Sequence, residues 1–362
     1  MYLDGLKLQN FKNHAFADFA FCKQVNCFTG KNGIGKTNIL DAIYYLAFTK
    51  SFFNGQDQHS VKHEEPWFSI ESNLIKDSIS QHLRLFYQKG SKKTLFVNNN
   101  EPEKFADHIG TIPLVMILPG DIQIIHESSE ERRRLFDTIL SSCDKQFLFA
   151  LMSYNRQLDQ RNKLLKDLAE GYSVDMELLM VYNSKLVEFG TIIFNKRNEM
   201  VRELFDLFRN HYYEISSGAE LAEINYQSDL SEKPFDEILI VQDLVDRLAQ
   251  RTTKGVHKDD FNFILNGFPV KKFGSQGQQK SFMIALKLTF FDYLKNKTGE
   301  KPLLLLDDIF EKLDEERLSS LIKRISNQEF GQIFITDTHK KRIEDAFQFI
   351  SNVEVVFHHI SN

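Results

Sequence analysis

The chain has 362 residues, which at roughly 150 residues per domain implies two or three domains. With 42% hydrophobic and 26% charged residues and no apolar run of about 18, the composition excludes a disordered chain, a collagen-like chain and a membrane span. A net charge of −5 excludes general attraction to nucleic acid, so any such binding must use local basic patches. Cys22, Cys27 and Cys143 leave one cysteine unpaired and form no C-x-x-C, so neither a disulfide framework nor a zinc site is expected. Met1 to Leu8 carries no basic-then-apolar leader pattern, and a reducing, cytoplasmic setting is expected.

In chain order, the first third reads as strands: Leu3 to Phe11, Val25 to Phe28, Phe68 to Ile75, Leu83 to Tyr87 and Thr94 to Val97. One helix interrupts them, Lys36 to Phe48, with Ile39, Ile43, Leu46 and Ala47 on one face. From Ser128 the apolar period becomes 3.6. Ser128-x-x-Glu131 has capping-box spacing and opens a helix to about Ser141, followed by helical stretches near 145 to 168 and 175 to 213. Past about residue 252, short elements alternate again. These are the strand Phe261 to Leu265, an Asn266-Gly267 turn, a helix from about Gln278 to Asn296 and the strand Leu303 to Leu306, then a helix near 315 to 326 and the strand Gln332 to Ile335. The simplest organisation is an α/β unit built from both chain ends, 1–112 and 252–362, split by a mainly helical insertion, 113–251.

Three segments carry chemistry. Gly30-Lys31-Asn32-Gly33-Ile34-Gly35-Lys36-Thr37 fits G-x-x-x-x-G-K-[ST], directly after an apolar strand and before a helix. Its glycines let backbone N–H groups turn inward, Lys36 can reach β- and γ-phosphates, and Thr37 can ligate Mg²⁺. Four leucines then precede Asp307-Asp308, a strand covered on both faces with carboxylates at its C-terminal end, where open α/β sheets bind ligands. There Asp307 would hold Mg²⁺, and Asp308 could orient or deprotonate an attacking water. Pure helix capping by this pair is the bland alternative. Ser275-Gln276-Gly277-Gln278-Gln279 opens a third helix N-terminus, a second anion grip or a simple polar capped turn. One γ-phosphate hardly needs two such grips from one subunit, so this one is expected to close over a partner subunit's nucleotide.

Together these segments resemble the ATP-binding-cassette heads of the structural-maintenance-of-chromosomes, Rad50 and RecF group, and among these the RecF family. The likeness covers nearly the whole chain: Leu8 to Asn13, Gly30 to Leu46, Arg132-Arg133-Arg134 with Phe136-Asp137, Gly255 to Asp260, Ser275 to Gln279 and Leu303 to Asp314. It implies an α/β fold, a P-loop ABC-type ATPase head with an inserted helical arm, and a head-to-head dimer with two sandwiched ATP molecules. Residue by residue it implies that Gly30 to Thr37 cradle ATP, Thr37 and Asp307 hold the metal, and Asp308 serves the water. Ser275, Gly277 and Gln278 would meet the partner's γ-phosphate, Asp314 would sit at the dimer contact, and His339 or a neighbouring threonine would sense the γ-phosphate. Gln123 is the candidate for the family's Q-loop glutamine. Val256 and Lys258 depart from the family's usual proline and arginine.

The resemblance also implies ATP-dependent, sequence-independent binding of duplex DNA at single-strand gaps. RecO/RecR-like mediators would be recruited, recombinase loading promoted, and slow hydrolysis would release the complex. Candidate phosphate contacts are Lys89, Lys92 and Lys93, Arg132 to Arg134, and Arg156, Arg161, Lys163 and Lys166, although unaided they read as solvated faces. The alternative is a cassette ATPase subunit that drives a transporter or another protein partner without touching DNA. Against it, the transporter signature with two glycines before its glutamine is absent. The insertion of about 140 residues is too short for the long coiled coils of Rad50 and chromosome-maintenance proteins. A nuclease reading lacks any further metal-binding cluster.

Overall fold

A computed structural model describes residues 1–172, 175–216, 220–309, 322–325, 327, 329–348, 350 and 352–361. The chain forms two compact units, Met1–Asp121 with Ile284–Asn362, and Ile122–Met283.

The first unit contains a parallel sheet in the order Val355–His359, Val25–Thr29, Ile333–Asp337, Leu303–Asp307, Leu114–Ile117. All four of its pairings are parallel, and they interleave strands from both chain ends. Leu303 to Leu306 are each 0% exposed, as the unbroken apolar run requires of a strand covered on both faces. An antiparallel sheet of Tyr2–Leu3, Gly5–Phe11, His14–Ala20, Trp67–Lys76, Ile79–Gln88 and Thr94–Val97 completes the unit. Between them lies the helix Lys36–Phe48, whose residues from Ile39 onward are all buried. The strands Val25–Thr29, Leu303–Asp307 and Ile333–Asp337 all point the same way, so their C-terminal ends lie along one edge.

The second unit is built on the helices Ser129–Cys143, Lys145–Ala169, Met176–Ile215 and Phe235–Ala249. Met176–Ile215 has 40 residues, about 60 Å at 1.5 Å per residue. The unit also has its own three-stranded sheet, Phe268–Pro269, Asp260–Leu265 and Ala222–Gln227. The sequence reading ends the insertion at 251, whereas the structure carries it to Met283. The reason is pairing: Asp260–Leu265 runs antiparallel to Ala222–Gln227, a short strand hidden in a stretch read as helical. Phe261 also stacks on Phe136 with ring centroids 3.8 Å apart.

Two further expectations differ locally. Ser128 does stand at the N-cap of Ser129–Cys143, but no side-chain cap bond forms there. Glu131 pairs instead with Arg134 at 3.6 Å. The helix expected near 315 to 326 lies largely outside the described residues.

A buried ionic lattice sets the Gly255 to Asp260 run in place. Arg197, 2% exposed, donates to both Asp137 oxygens at 2.9 and 2.8 Å, to Asp259 at 3.0 Å and to the Val256 carbonyl at 2.8 Å. Tyr226 also donates to Asp259. Arg161, 0% exposed, donates to Asp246 at 2.7 Å and to Thr252 at 2.8 Å.

Candidate nucleotide site and signature turn

Residues 30–37 leave the C-terminal end of Val25–Thr29 and enter the helix at Lys36. The turn needs glycine twice. Gly33 (φ 79°) and Gly35 (φ 106°) hold left-handed backbone, and a Cβ on Gly35 would fall 2.3 Å from the Asn13 amide. Lys31, Asn32 and Gly33 are exposed along the loop, and Ile34 is half-buried. The Lys36 ammonium, on a residue only 5% exposed, donates to the Gly30 and Lys31 carbonyls at 2.9 and 3.1 Å. It is thus held within the curve of the loop. Asn13 clasps that curve from outside, donating to the Ile34 carbonyl at 2.7 Å and accepting from Asn38 at 2.7 Å, while His14 Nε2 lies 3.1 Å from the Gly35 carbonyl oxygen.

Thr37 and Asp307 meet at the start of the helix. Thr37 Oγ1 donates to Asp307 at 2.9 Å, and Thr336 Oγ1 donates to the same carboxylate at 2.6 Å. Burial pushes the Asp307 carboxyl above the ordinary carboxylate range, against the opposing hydroxyl hydrogen bonds of Thr336 and Thr37 and the charge of Lys36. A hydroxyl and a carboxylate side by side are a hard-oxygen donor set of the kind Mg²⁺ takes beside phosphate oxygens. Among the described residues no cluster of three or more His, Cys, Asp or Glu could hold a metal.

Asp308 follows with φ 44°, left-handed backbone that an aspartate tolerates. Its N–H donates to the Thr336 carbonyl at 3.2 Å and the Thr336 hydroxyl at 3.0 Å, which fixes that turn. Past the neighbouring strand, His339 is exposed and precedes the helix Lys340–Phe347. Its N–H donates to Asp337 at 2.7 Å, and Arg342 bridges to the same carboxylate at 3.2 Å. In this structure His339 is a helix-start residue, and the threonine that touches the acidic pair is Thr336.

Ser275, Gly277 and Gln278 belong to the second unit. They form a reciprocal cap on the helix Gln276–Thr298: Gln278 N–H donates to Ser275 Oγ at 3.2 Å, and Ser275 N–H donates to Gln278 Oε1 at 2.6 Å. Ser275 is exposed while Gln278, half-buried, also donates to Glu220. Gln279 Oε1 accepts from His126 Nε2 at 2.9 Å, and its Nε2 donates to the Gly274 carbonyl at 2.9 Å. The Gln278 side chain is thus structural, and the outward groups of the turn are the Ser275 hydroxyl and the helix N-terminus. Asp314 lies outside the described residues. Gln123 is exposed at the start of the short helix Gln123–His126.

Among the candidate phosphate contacts the structure removes Arg161, which is sealed in its lattice with Asp246. Lys93 pairs with Asp57 at 3.1 Å, Arg132 with Asp260 at 2.8 Å, and Arg133 donates to the Asp259 carbonyl. Lys89, Lys92, Arg134, Arg156, Lys163 and Lys166 remain exposed. Sequence reasoning missed Asn13, His14 and Asn38. Asn13 stands in the opening motif and Asn38 in the run from Gly30 to Leu46, but nothing local announces that a hairpin turn reaches a loop some twenty positions on.

Residues 2–361 match the family described as RecF/RecN/SMC N terminal domain. A DNA replication and repair protein RecF from Flavobacterium johnsoniae is 45% identical over 346 residues, covering 95% of this chain and 96% of that protein. One from Bacteroides thetaiotaomicron is 39% identical over 358 residues, covering 99% and 96%. Among solved structures, the recombination mediator protein RecF-ATP in the RecFOR pathway superposes with a TM-score of 0.87 at 31% identity, covering 98% of this chain and 93% of that one. An Smc head bound to the C-terminal winged helix of ScpA gives 0.53 at 14% identity over 96% and 92%, a likeness of fold alone.

Proposed function

This chain belongs to the RecF/RecN/SMC N-terminal-domain family and to its RecF members, and on that premise we propose that it is a Mg²⁺-dependent ATPase whose ATP-bound dimer holds duplex DNA beside single-strand gaps. The observation that carries the reading is the Thr37–Asp307 contact, which brings a phosphate-binding loop and an acidic strand end from opposite ends of the chain to one point. Loop amides and Lys36 would bind the triphosphate, and Thr37 and Asp307 would hold Mg²⁺, which when bound supplies charge neutralisation to the phosphates. Asp308 would orient the attacking water from its fixed turn. Ser275 and the helix N-terminus behind it would cap the γ-phosphate bound to a second copy. Such contacts exist only in the closed dimer, so nucleotide binding favours closure by differential contact and slow hydrolysis reverses it.

The protein would then act with RecO- and RecR-type mediators in recombinase loading, in keeping with the pathway of its structural relatives. Exposed Lys89, Lys92, Arg156, Lys163 and Lys166 offer phosphate contacts that read no sequence. Filter binding of gapped duplex, titrated across salt with and without ATP, tests this. Affinity should rise with ATP and fall steeply with salt. Affinity indifferent to both would leave a cassette ATPase that works on proteins alone.

A further inference from the structure

The helix Lys36–Phe48 begins without a side-chain cap. Its N-cap is Gly35, and no side chain accepts from its first N–H groups, whereas Asp144 and Asp175 accept from those of Lys145–Ala169 and Met176–Ile215. Among the described residues, no hydrogen bond satisfies the N–H groups of Gly35, Lys36 and Thr37. Three donors at a helix start are thereby left to an anion.

Asn13 lies against this helix start and does the reverse of capping. Its Nδ2 faces the loop and donates to the Ile34 carbonyl at 2.7 Å, while its Oδ1, the atom that would cap, accepts from Asn38 at 2.7 Å. In a trans peptide unit the C=O and N–H point in opposite directions, so a carbonyl held toward the hairpin aims the N–H of the same unit away from it. Asn13 therefore aims the Gly35 N–H. His14 Nε2, 3.1 Å from the Gly35 carbonyl oxygen, does the same for the Lys36 N–H. The approach is close enough to dictate the residue it meets. A Cβ on Gly35 would lie 2.3 Å from Asn13 Nδ2 and 2.4 Å from its Oδ1, whereas a Cβ on Gly33 would meet nothing within 4 Å.

The hairpin turn that carries both anchors is itself fixed. The Lys12 ammonium pairs at 2.6 Å with Asp41, which is 0% exposed, and the Lys12 N–H donates to the Ser60 carbonyl at 2.8 Å. Asp41, one turn beyond Thr37 on the same helix, also accepts from the Ser51 hydroxyl and the Phe52 N–H, each at 2.7 Å. Lys12, Asn13 and His14 thus grip the segment from Ile34 to Asp41 with three consecutive side chains.

We propose that Asn13 is a positioning residue for the nucleotide: by holding the Ile34 carbonyl outward, with His14 holding the next one, it preorganises the loop's N–H groups as phosphate donors. The proposal rests on the reading of residues 30–37 as a phosphate-binding loop. Such N–H groups cradle phosphates that do not react, so they favour ground and transition states alike. Their loss raises KM and leaves kcat in place.

The test uses the full chain as wild type, Asn13→Asp, Asn13→Ala and Ala15→Asp, with calorimetric titration of ADP and steady-state hydrolysis of ATP. Asn13→Asp keeps the shape and an acceptor for Asn38, and replaces only the donor, by an anion facing the Ile34 carbonyl. Ala15, exposed two positions on, controls for added charge alone. The ADP Kd should rise about tenfold or more in Asn13→Asp and severalfold in Asn13→Ala, and stay at the wild-type value in Ala15→Asp. KM for ATP should follow the Kd, with kcat within about twofold and the nucleotide-free thermal midpoint of Asn13→Asp at the wild-type value. Wild-type ADP affinity in Asn13→Asp overturns the proposal and leaves the loop reading intact. Equal losses in Asn13→Asp and Ala15→Asp, or a lowered midpoint that accounts for the lost affinity, also overturn it, because charge or folding alone would then explain the effect. Absence of ADP binding to wild type overturns the loop reading together with the proposal.

Discussion

The hydroxyl of Thr37 donates to both carboxylate oxygens of Asp307, at 2.9 and 3.0 Å, across a sequence separation of 270 residues. The parallel sheet makes this possible: Val25–Thr29 and Leu303–Asp307 flank Ile333–Asp337, and both release their next residues at the same edge. If the pair holds the cation that neutralises phosphate, Thr37→Val and Asp307→Asn should each lower phosphate release from Mg-ATP by about a hundredfold or more, as loss of a preorganised charge contact does. Thr37→Ser should keep most of it. Wild-type turnover by Thr37→Val would remove the cation from these residues.

Asp308 carries a different expectation, because it was assigned to the attacking water, and its backbone turns left-handed directly after Asp307. Asp308→Asn should bind ATP and accumulate as a dimer that does not hydrolyse it, whereas Lys36→Ala should stay monomeric. Size exclusion with light scattering in ATP distinguishes the two, and a monomeric Asp308→Asn would contradict the switch.

The buried Arg197 lattice predicts a stability effect with little direct effect on chemistry. Arg197→Ala would leave Asp137 and Asp259 buried without their guanidinium, at a cost of about 3–5 kcal/mol. Urea denaturation followed by circular dichroism reads this, and a loss under about 1 kcal/mol would mean that the lattice is hydrated.

His257 gives a pH dependence of known sign. Its Nδ1 lies 2.8 Å from the Tyr154 hydroxyl and its Nε2 3.1 Å from the Thr252 carbonyl oxygen, a pattern that suits the neutral ring. Burial pushes its pKa down to about 4, against the hydrogen bond to Thr252. The unfolded chain, near 6.5, binds more protons in between, so this contribution is whole above pH 6.5 and drains away on acidification towards 4. By pH 5 the loss from this group should be about 2 kcal/mol. His257→Gln should flatten the fall in thermal midpoint between pH 7 and 5, and an unchanged slope would assign the acid sensitivity to other groups.

Much of this was legible in the sequence because the informative residues act locally. The glycines of the loop, the buried leucines before Asp307 and the 3.6 period of the long helices each state their structure within a few positions. What was not legible is what depends on distant pairing. Asp260–Leu265 was assigned to the wrong side of a boundary because its partner, Ala222–Gln227, is only six residues long. Arg161 read as a surface charge because nothing near it shows that Asp246 will bury beside it. The capping box formed at Ser275 and Gln278, where a phosphate grip was expected, and not at Ser128, where Glu131 found Arg134. Spacing proposes such a cap, and competing partners decide it.

The composite site can be tested by mixing two inactive variants. Asp308→Asn keeps Ser275 but cannot serve the water, and Ser275→Arg keeps the water-orienting residue but has no signature hydroxyl to offer. If the loop of one copy is completed by Ser275 of another, half the dimers in an equal mixture carry one whole site, and hydrolysis should return to about a quarter of wild type. A mixture as inactive as its separate components, from variants that still bind ATP, would contradict completion of the site between two copies.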